Sequence, residues 1–210
     1  MTNSKQKHGE YIKYDDTGRI TNIDWYTDGN HDCSLGVSDG EHSYNHGNDT
    51  LWQKYTIRDG KPDGEWILNH STGGMSLYRK FNNGSREGTW TGWHNDGTRW
   101  MVETYKDDKE NGPFYKWRYG EVPEFEGHYE NGKKTGKWIY YYESGVPEFG
   151  GEYKNGKRIG KWNRWHDVSG QIFAISHYKY GKLNGEYVEI NEAGNISVRG
   201  EYKKGKKNGK

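Results

Sequence analysis

The chain is short of aliphatic side chains, of proline and of cysteine, and each shortage excludes something. Leu, Ile, Val and Phe together number 28 of 210 residues, and the mean hydropathy is −1.31. So little aliphatic material ordinarily marks a chain that cannot bury a core. The single cysteine, Cys33, excludes an internal disulfide framework and suits a reducing compartment. Four prolines against 31 glycines exclude polyproline stretches and indicate tight turns. No apolar run approaches the roughly 18 residues of a membrane-spanning helix. The opening MTNSKQKHGEYIKY has no apolar segment of the secretory kind. A net charge of +1 gives no overall electrostatic case for nucleic acid. A cytoplasmic protein is expected.

What the chain does have is aromatic: 10 Trp and 18 Tyr, each able to bury a large apolar surface. They recur with a period of 24 residues. GKWIYYYESGVPEFGGEYKNGKRI from Gly136 and GKWNRWHDVSGQIFAISHYKYGKLN from Gly160 show the unit. It has Gly first, an aromatic two later, a second aromatic or apolar residue five later, Gly near nine, Tyr near seventeen and Asn-Gly near twenty. Units are read from Gly9, Cys33, Gly64, Gly88, Gly112, Gly136, Gly160 and Gly185, with Gly209 and Lys210 opening a ninth. Residues 1–8 are an N-terminal tail. Seven tryptophans fall on the two aromatic positions: Trp66, Trp90, Trp138 and Trp162 on the first, Trp93, Trp117 and Trp165 on the second.

Each unit reads as two short strands, such as 137–142 and 147–154, separated by Gly- and Asn-containing hairpin turns. No long 3.6-residue periodicity points to helix. One hairpin cannot bury its apolar face, whereas stacked hairpins can. The expected fold is therefore all-β, with about eight tandem hairpins forming one elongated, twisted antiparallel sheet. The two aromatic positions lie three apart, so on a flat strand they face opposite sides. A bulge that realigns them is the alternative, and the sequence leaves both open.

The pattern G-x-W-x-x-W/Y…G…E-Y-x-N-G-K-x-x-G, best seen in GHYENGKKTGKW (127–138) and GEYKNGKRIGKW (151–162), resembles the membrane occupation and recognition nexus (MORN) repeat. It is most similar to the variant in the bacterial YwqK-family antitoxins, and similar arrays occur in phage and large DNA viruses. The resemblance implies a hairpin array used for protein contacts and, in some members, lipid contacts. The antitoxin kinship implies a protein toxin as partner.

Residues 30–50 break the period and make the second unit about seven residues too long. They are read as an irregular insertion, which in repeat arrays often maps to a loop on the binding face. Within it, Cys33, His42 and His46 match no zinc spacing. Asp28, Asn30 and Asp32 begin like a calcium loop, but Cys33 stands where that loop needs Gly; Gly29 reads better as a hairpin turn. His94 and His166 follow the second aromatic of their units and read as a surface strand feature of the repeat. No nucleophile elbow, phosphate loop or H-E-x-x-H motif is present. Neither a cofactor nor a metal is expected.

Function is therefore expected to be binding, not catalysis: a non-enzymatic module that occupies a protein partner, as an antitoxin or inhibitor does. The first aromatic position is nearly uniform and suits a structural stack. The second varies, as suits contact with a partner, and Trp93, Trp117, Tyr141 and Trp165 are the candidate partner-binding row. Two rival expectations stand beside it. Late lysines such as Lys154, Lys157 and Lys203 suit an anionic lipid surface, and a hydrolase site in residues 30–50 is the other. Single-stranded nucleic acid would favour aromatics interleaved with Lys, but Glu148, Glu152 and Glu186 on the same strands weigh against it. Oligomeric state is open.

Overall fold

A computed structural model describes residues 9–27 and 30–208. The tail 1–8, the turn at Asp28 and Gly29 and the ninth start at Gly209 lie outside the described residues. Strands dominate, and among the described residues the one other element is a 3-10 turn at Tyr119–Glu121. The chain divides into two units, 1–88 and 89–210.

In the first unit, β1 (Gly9–Tyr14), β2 (Ile20–Thr27) and β3 (Asn30–Leu35) make a three-stranded antiparallel sheet of their own. β4 (Gly40–Asn45), β5 (Leu51–Arg58), β6 (Lys61–Asn69) and β7 (Met75–Asn82) follow as a meander, with the short β8 (Ser85–Arg86) beside β7. The two sheets meet through Glu10, which accepts hydrogen bonds from Gln53 Nε2 at 2.5 Å and Arg79 Nη2 at 2.6 Å. Trp25 and Trp52 meet edge to face at 5.2 Å, and Tyr55 donates to the Gly36 carbonyl at 2.7 Å. Ile20, Ile23, Leu35, Tyr55, Ile57, Trp66 and Phe81 are buried.

Residues 30–50, expected as an irregular insertion, are mostly the two strands β3 and β4. The second unit of the repeat does not begin at Cys33 in the larger sheet. It begins at Gly40, which pairs with Ile57 as Gly64 pairs with Phe81. Cys33 still holds the in-phase place on β3, opposite Trp25. The chain thus leaves one sheet after Leu35 and restarts its phase at Gly40, seven residues after Cys33. The slip is a change of sheet.

In the second unit, β9 (Gly88–Trp93), β10 (Arg99–Lys106), β11 (Lys109–Trp117), β12 (Pro123–Glu130), β13 (Lys133–Tyr141), β14 (Pro147–Lys154), β15 (Lys157–Trp165), β16 (Ile172–Lys179), β17 (Lys182–Ile190), β18 (Ile196–Lys203) and β19 (Lys206–Lys207) lie side by side in chain order. Here the expected array of antiparallel hairpins is found with its 24-residue step. The register repeats: Gly112 faces Tyr129, Gly136 faces Tyr153, Gly160 faces Tyr178 and Gly185 faces Tyr202. β13 begins four residues earlier than the sequence suggests, because the strand runs through Gly136. That residue sits at φ 62 in a bulge opposite β12, a conformation glycine adopts without steric cost.

Candidate functional site

The first aromatic position builds one face of the sheet. Trp66, Trp138 and Trp162 are 0%, 1% and 3% exposed. Trp138 lies against Gly127 of the preceding repeat and Trp162 against Gly151, since a Cβ at either glycine would stand 2.2 or 2.5 Å from the indole ring. Their indole N–H groups donate to the carbonyls of His128, at 3.1 Å, and Glu152, at 3.3 Å. Each tryptophan thereby stitches its repeat to the one before. Rings surround them: Tyr129 and Tyr153 stand edge-on at 5.1 Å from Trp138 and Trp162 respectively. Phe149 stacks on Tyr140 at 4.3 Å. Lys134 lies 4.1 Å from the Trp138 ring and Arg158 4.4 Å from that of Trp162, and burial lowers the pKa of Lys134. Trp90, expected in the same stack, is only half-buried.

The second aromatic position faces the other way. Trp138 and Tyr140 share the first face with Phe149, so Tyr141, the next residue, points to the opposite side. The bulge between Tyr140 and Tyr141 puts the extra residue, Glu148, on β14 and leaves the alternation of β13 intact. The sheet therefore carries aromatics on both faces. On the second face Tyr115 and Trp117 are 5.6 Å apart, and Arg99 lies over Trp117 at 5.2 Å. The Tyr141 hydroxyl donates to Glu126 at 2.9 Å. Burial, with the Glu126 carboxylate second, pushes its pKa upward, so it remains a neutral donor.

All four candidate residues, Trp93, Trp117, Tyr141 and Trp165, are half-buried. They close β9, β11, β13 and β15, one per repeat. The residue that follows each begins a hairpin loop. Arg118 reaches the Tyr141 carbonyl at 3.5 Å, and Tyr142 donates to that of Trp165 at 2.9 Å. His46 makes the same reach to Asn69 at 3.2 Å. Sequence reasoning missed this latch, although its signal was present: His46, His70, His94, Arg118, Tyr142 and His166 share one repeat position once Gly40 is taken as a start. His94 and His166 thus open loops and do not sit within strands; their rings pack on Tyr119 and Phe173.

The cysteine and histidine side chains of residues 30–50 are dispersed. His42 contacts the Ser38 carbonyl at 2.8 Å and stacks on Tyr55, while Cys33 lies on the smaller sheet. Among the described residues no three His, Cys, Asp or Glu side chains are grouped to hold a metal ion. A polar cluster does form on the smaller sheet, with His31 and Ser34 of this segment in it. Buried Asp24 accepts from Lys13 at 2.9 Å, Ser34 at 2.8 Å and Asn22 at 2.6 Å, and lies 3.1 Å from His31 Nε2. The Lys13 and Ser34 hydrogen bonds hold its carboxyl well below the usual carboxylate range. Ser34 also lies 3.2 Å from His31, but at the same Nε2. A proton relay needs the two ring nitrogens to serve serine and carboxylate separately.

No family model matches the chain, and no curated protein matches it.

Proposed function

We propose that this chain is a non-enzymatic protein-binding array, an inhibitor of the antitoxin kind that its MORN-like repeat resembles. It occupies its partner with the row Trp93, Trp117, Tyr141 and Trp165. One observation carries the reading. The sheet has two aromatic rows; Trp66, Trp138 and Trp162 of the first are buried, the last two tied by indole hydrogen bonds, while Trp93, Trp117, Tyr141 and Trp165 of the second stay half-buried. Half-exposed Trp and Tyr on a rigid scaffold are what interface hot spots are made of. The backbone under Tyr141 and Trp165 is held by Arg118 and Tyr142, so little ordering is needed on binding.

The test is capture from a host lysate by the immobilised chain, with mass spectrometry of what is retained. A specific partner is retained by the unaltered chain and by Trp138→Phe, and lost from the double variant Trp117→Ala, Trp165→Ala with its melting temperature little changed. Retention that is indifferent to the double variant contradicts the reading.

A further inference from the structure

We infer that the last three hairpin tips of the second unit form a docking edge for an acidic, extended segment of a protein partner. This goes beyond the aromatic row and rests on different residues. Five tips of this unit close with the cross-strand pairs Lys106–Lys109, Glu130–Lys133, Lys154–Lys157, Lys179–Lys182 and Lys203–Lys206. Like charges directly opposite one another destabilise a hairpin. The first tip offsets its lysines with Asp107 and Asp108 between them, and the second pairs Lys133 with a carboxylate. The last three have no acid within the tip, and the fifth adds Lys204. Among the described residues none of these tip lysines is ion-paired. Three consecutive unrelieved repulsions are a cost to folding that an anionic ligand would remove.

The tips are built to receive one. Each is tied to the preceding repeat: Gly156 N–H donates to Lys134 at 2.9 Å, Gly181 to Arg158 at 2.9 Å and Gly205 to Leu183 at 2.8 Å. Between successive tips lie two recesses, of about 600 Å³ over Ile159 and Tyr178 and about 810 Å³ over Tyr202 and Gly185; lysines rim both, and Glu201 is the one carboxylate, in the second. Tyr180 stands between them, 72% exposed and at φ 53. The matching turn positions hold Asn131 and Asn155, residues that tolerate the left-handed region far better than tyrosine does. Lys179 Nζ lies 5.9 Å from the Tyr180 ring.

The occupant follows from spacing and from what is missing. Tips recur every two strands, about 9.6 Å apart, which is close to three residues of extended chain at about 3.3 Å each. A segment with a carboxylate at every third residue therefore sets one charge at each tip. Single-stranded nucleic acid would want an aromatic at each turn for base stacking, and of the three matching turn positions, Asn155, Tyr180 and Lys204, one is aromatic.

The experiment is fluorescence anisotropy of the full chain with a labelled peptide of about twelve residues, carrying Glu at every third position and Gly or Ser elsewhere. The inference predicts saturable binding that weakens as salt rises. It is weakened about tenfold or more by Lys154→Glu, Lys179→Glu and Lys203→Glu together, and is unchanged by Trp117→Ala with Trp165→Ala. The same triple variant unfolds at a higher temperature, because each like-charged pair becomes complementary. Peptide binding that the triple variant retains overturns the inference, and so does loss with the tryptophan variant. Tighter binding of an oligothymidylate of equal charge, or of phosphatidylserine vesicles, at the same lysines overturns it in favour of those ligands.

Discussion

Trp162 lies over Gly151 so closely that a Cβ at position 151 would stand 2.5 Å from its indole ring. Gly200 occupies the same place in the last described repeat, paired with Tyr187 as Gly151 is paired with Trp138, and nothing lies within 4 Å of a Cβ there. Neither glycine has a left-handed φ, so the difference is packing alone. Gly151→Ala is expected to cost about 1–3 kcal/mol, the usual range for forcing volume into a filled core. Gly200→Ala is expected to cost nothing and to gain up to about 1 kcal/mol by restricting the unfolded chain. Urea unfolding of the two variants measures the contrast. Equal effects would mean that the tryptophan does not use the glycine as its seat.

Glu10 joins the two sheets of the first unit. Its carboxylate and the Arg79 guanidinium are 9% and 12% exposed and 2.6 Å apart, with Gln53 on the other oxygen. Removing one partner of such a pair strands the other, so Glu10→Ala is expected to cost about 3–5 kcal/mol. Replacing both, Glu10→Leu with Arg79→Met, is expected to cost clearly less, because no buried charge is then left over. A double-mutant cycle by chemical unfolding reads the difference.

Asp24 sets an acid limit on the first unit. Its folded carboxyl titrates below the unfolded one because Lys13 and Ser34 bind the ionised form. Where the unfolded chain takes up a proton, the folded chain still holds the anion. The stabilisation is complete above the unfolded value of about 3.9 and fades as pH falls through the depressed folded value. Asp24→Asn should lower stability at neutral pH and flatten the loss between about pH 5 and pH 2. Urea midpoints recorded across that range decide it, and parallel curves for the two proteins would contradict the assignment.

Tyr187 gives an alkaline counterpart. Its hydroxyl donates to Glu189 at 2.5 Å, and that hydrogen bond, aided by burial, pushes its pKa up to about 12. The folded chain keeps this proton where the unfolded chain has lost it. Its contribution is thus whole below the ordinary tyrosine value near 10 and lost as pH rises toward about 12. Glu189→Gln should remove most of the shift, which absorbance titration of tyrosinate detects as a change in the high-pH limb.

The hairpins and their turns were legible because the sequence repeats its own punctuation. Asn131-Gly132 and Asn155-Gly156 sit in the left-handed region on both residues, as Asn-Gly turns require. The second start, at Gly40, was hidden because His42 and Ile57 stand where other repeats show Trp and Tyr. The sharing of aromatics between faces was not legible either. It depends on which strand carries the extra residue of each bulge, and at β13 and β14 that is decided by the pairing of Tyr140 with Phe149 and Tyr141 with Pro147. The repulsive lysine pairs were visible as composition; that Lys179 faces Lys182 is a matter of register. The recurrence of Trp93, Trp117, Tyr141 and Trp165 once per repeat was legible, while the orientation of Tyr141 away from Trp138 came only with the strand pairing.

The most direct measurement of the division between the two rows is the unfolding free energy of four single variants in urea: Trp138→Ala, Trp162→Ala, Trp117→Ala and Trp165→Ala. If the first row holds the repeats together and the second is reserved for a partner, Trp138→Ala and Trp162→Ala each lose about 3–5 kcal/mol, the cost of emptying a buried tryptophan site. Trp117→Ala and Trp165→Ala then lose less than half as much. Equal losses at all four positions would show that both rows are core, and the binding surface would have to lie elsewhere.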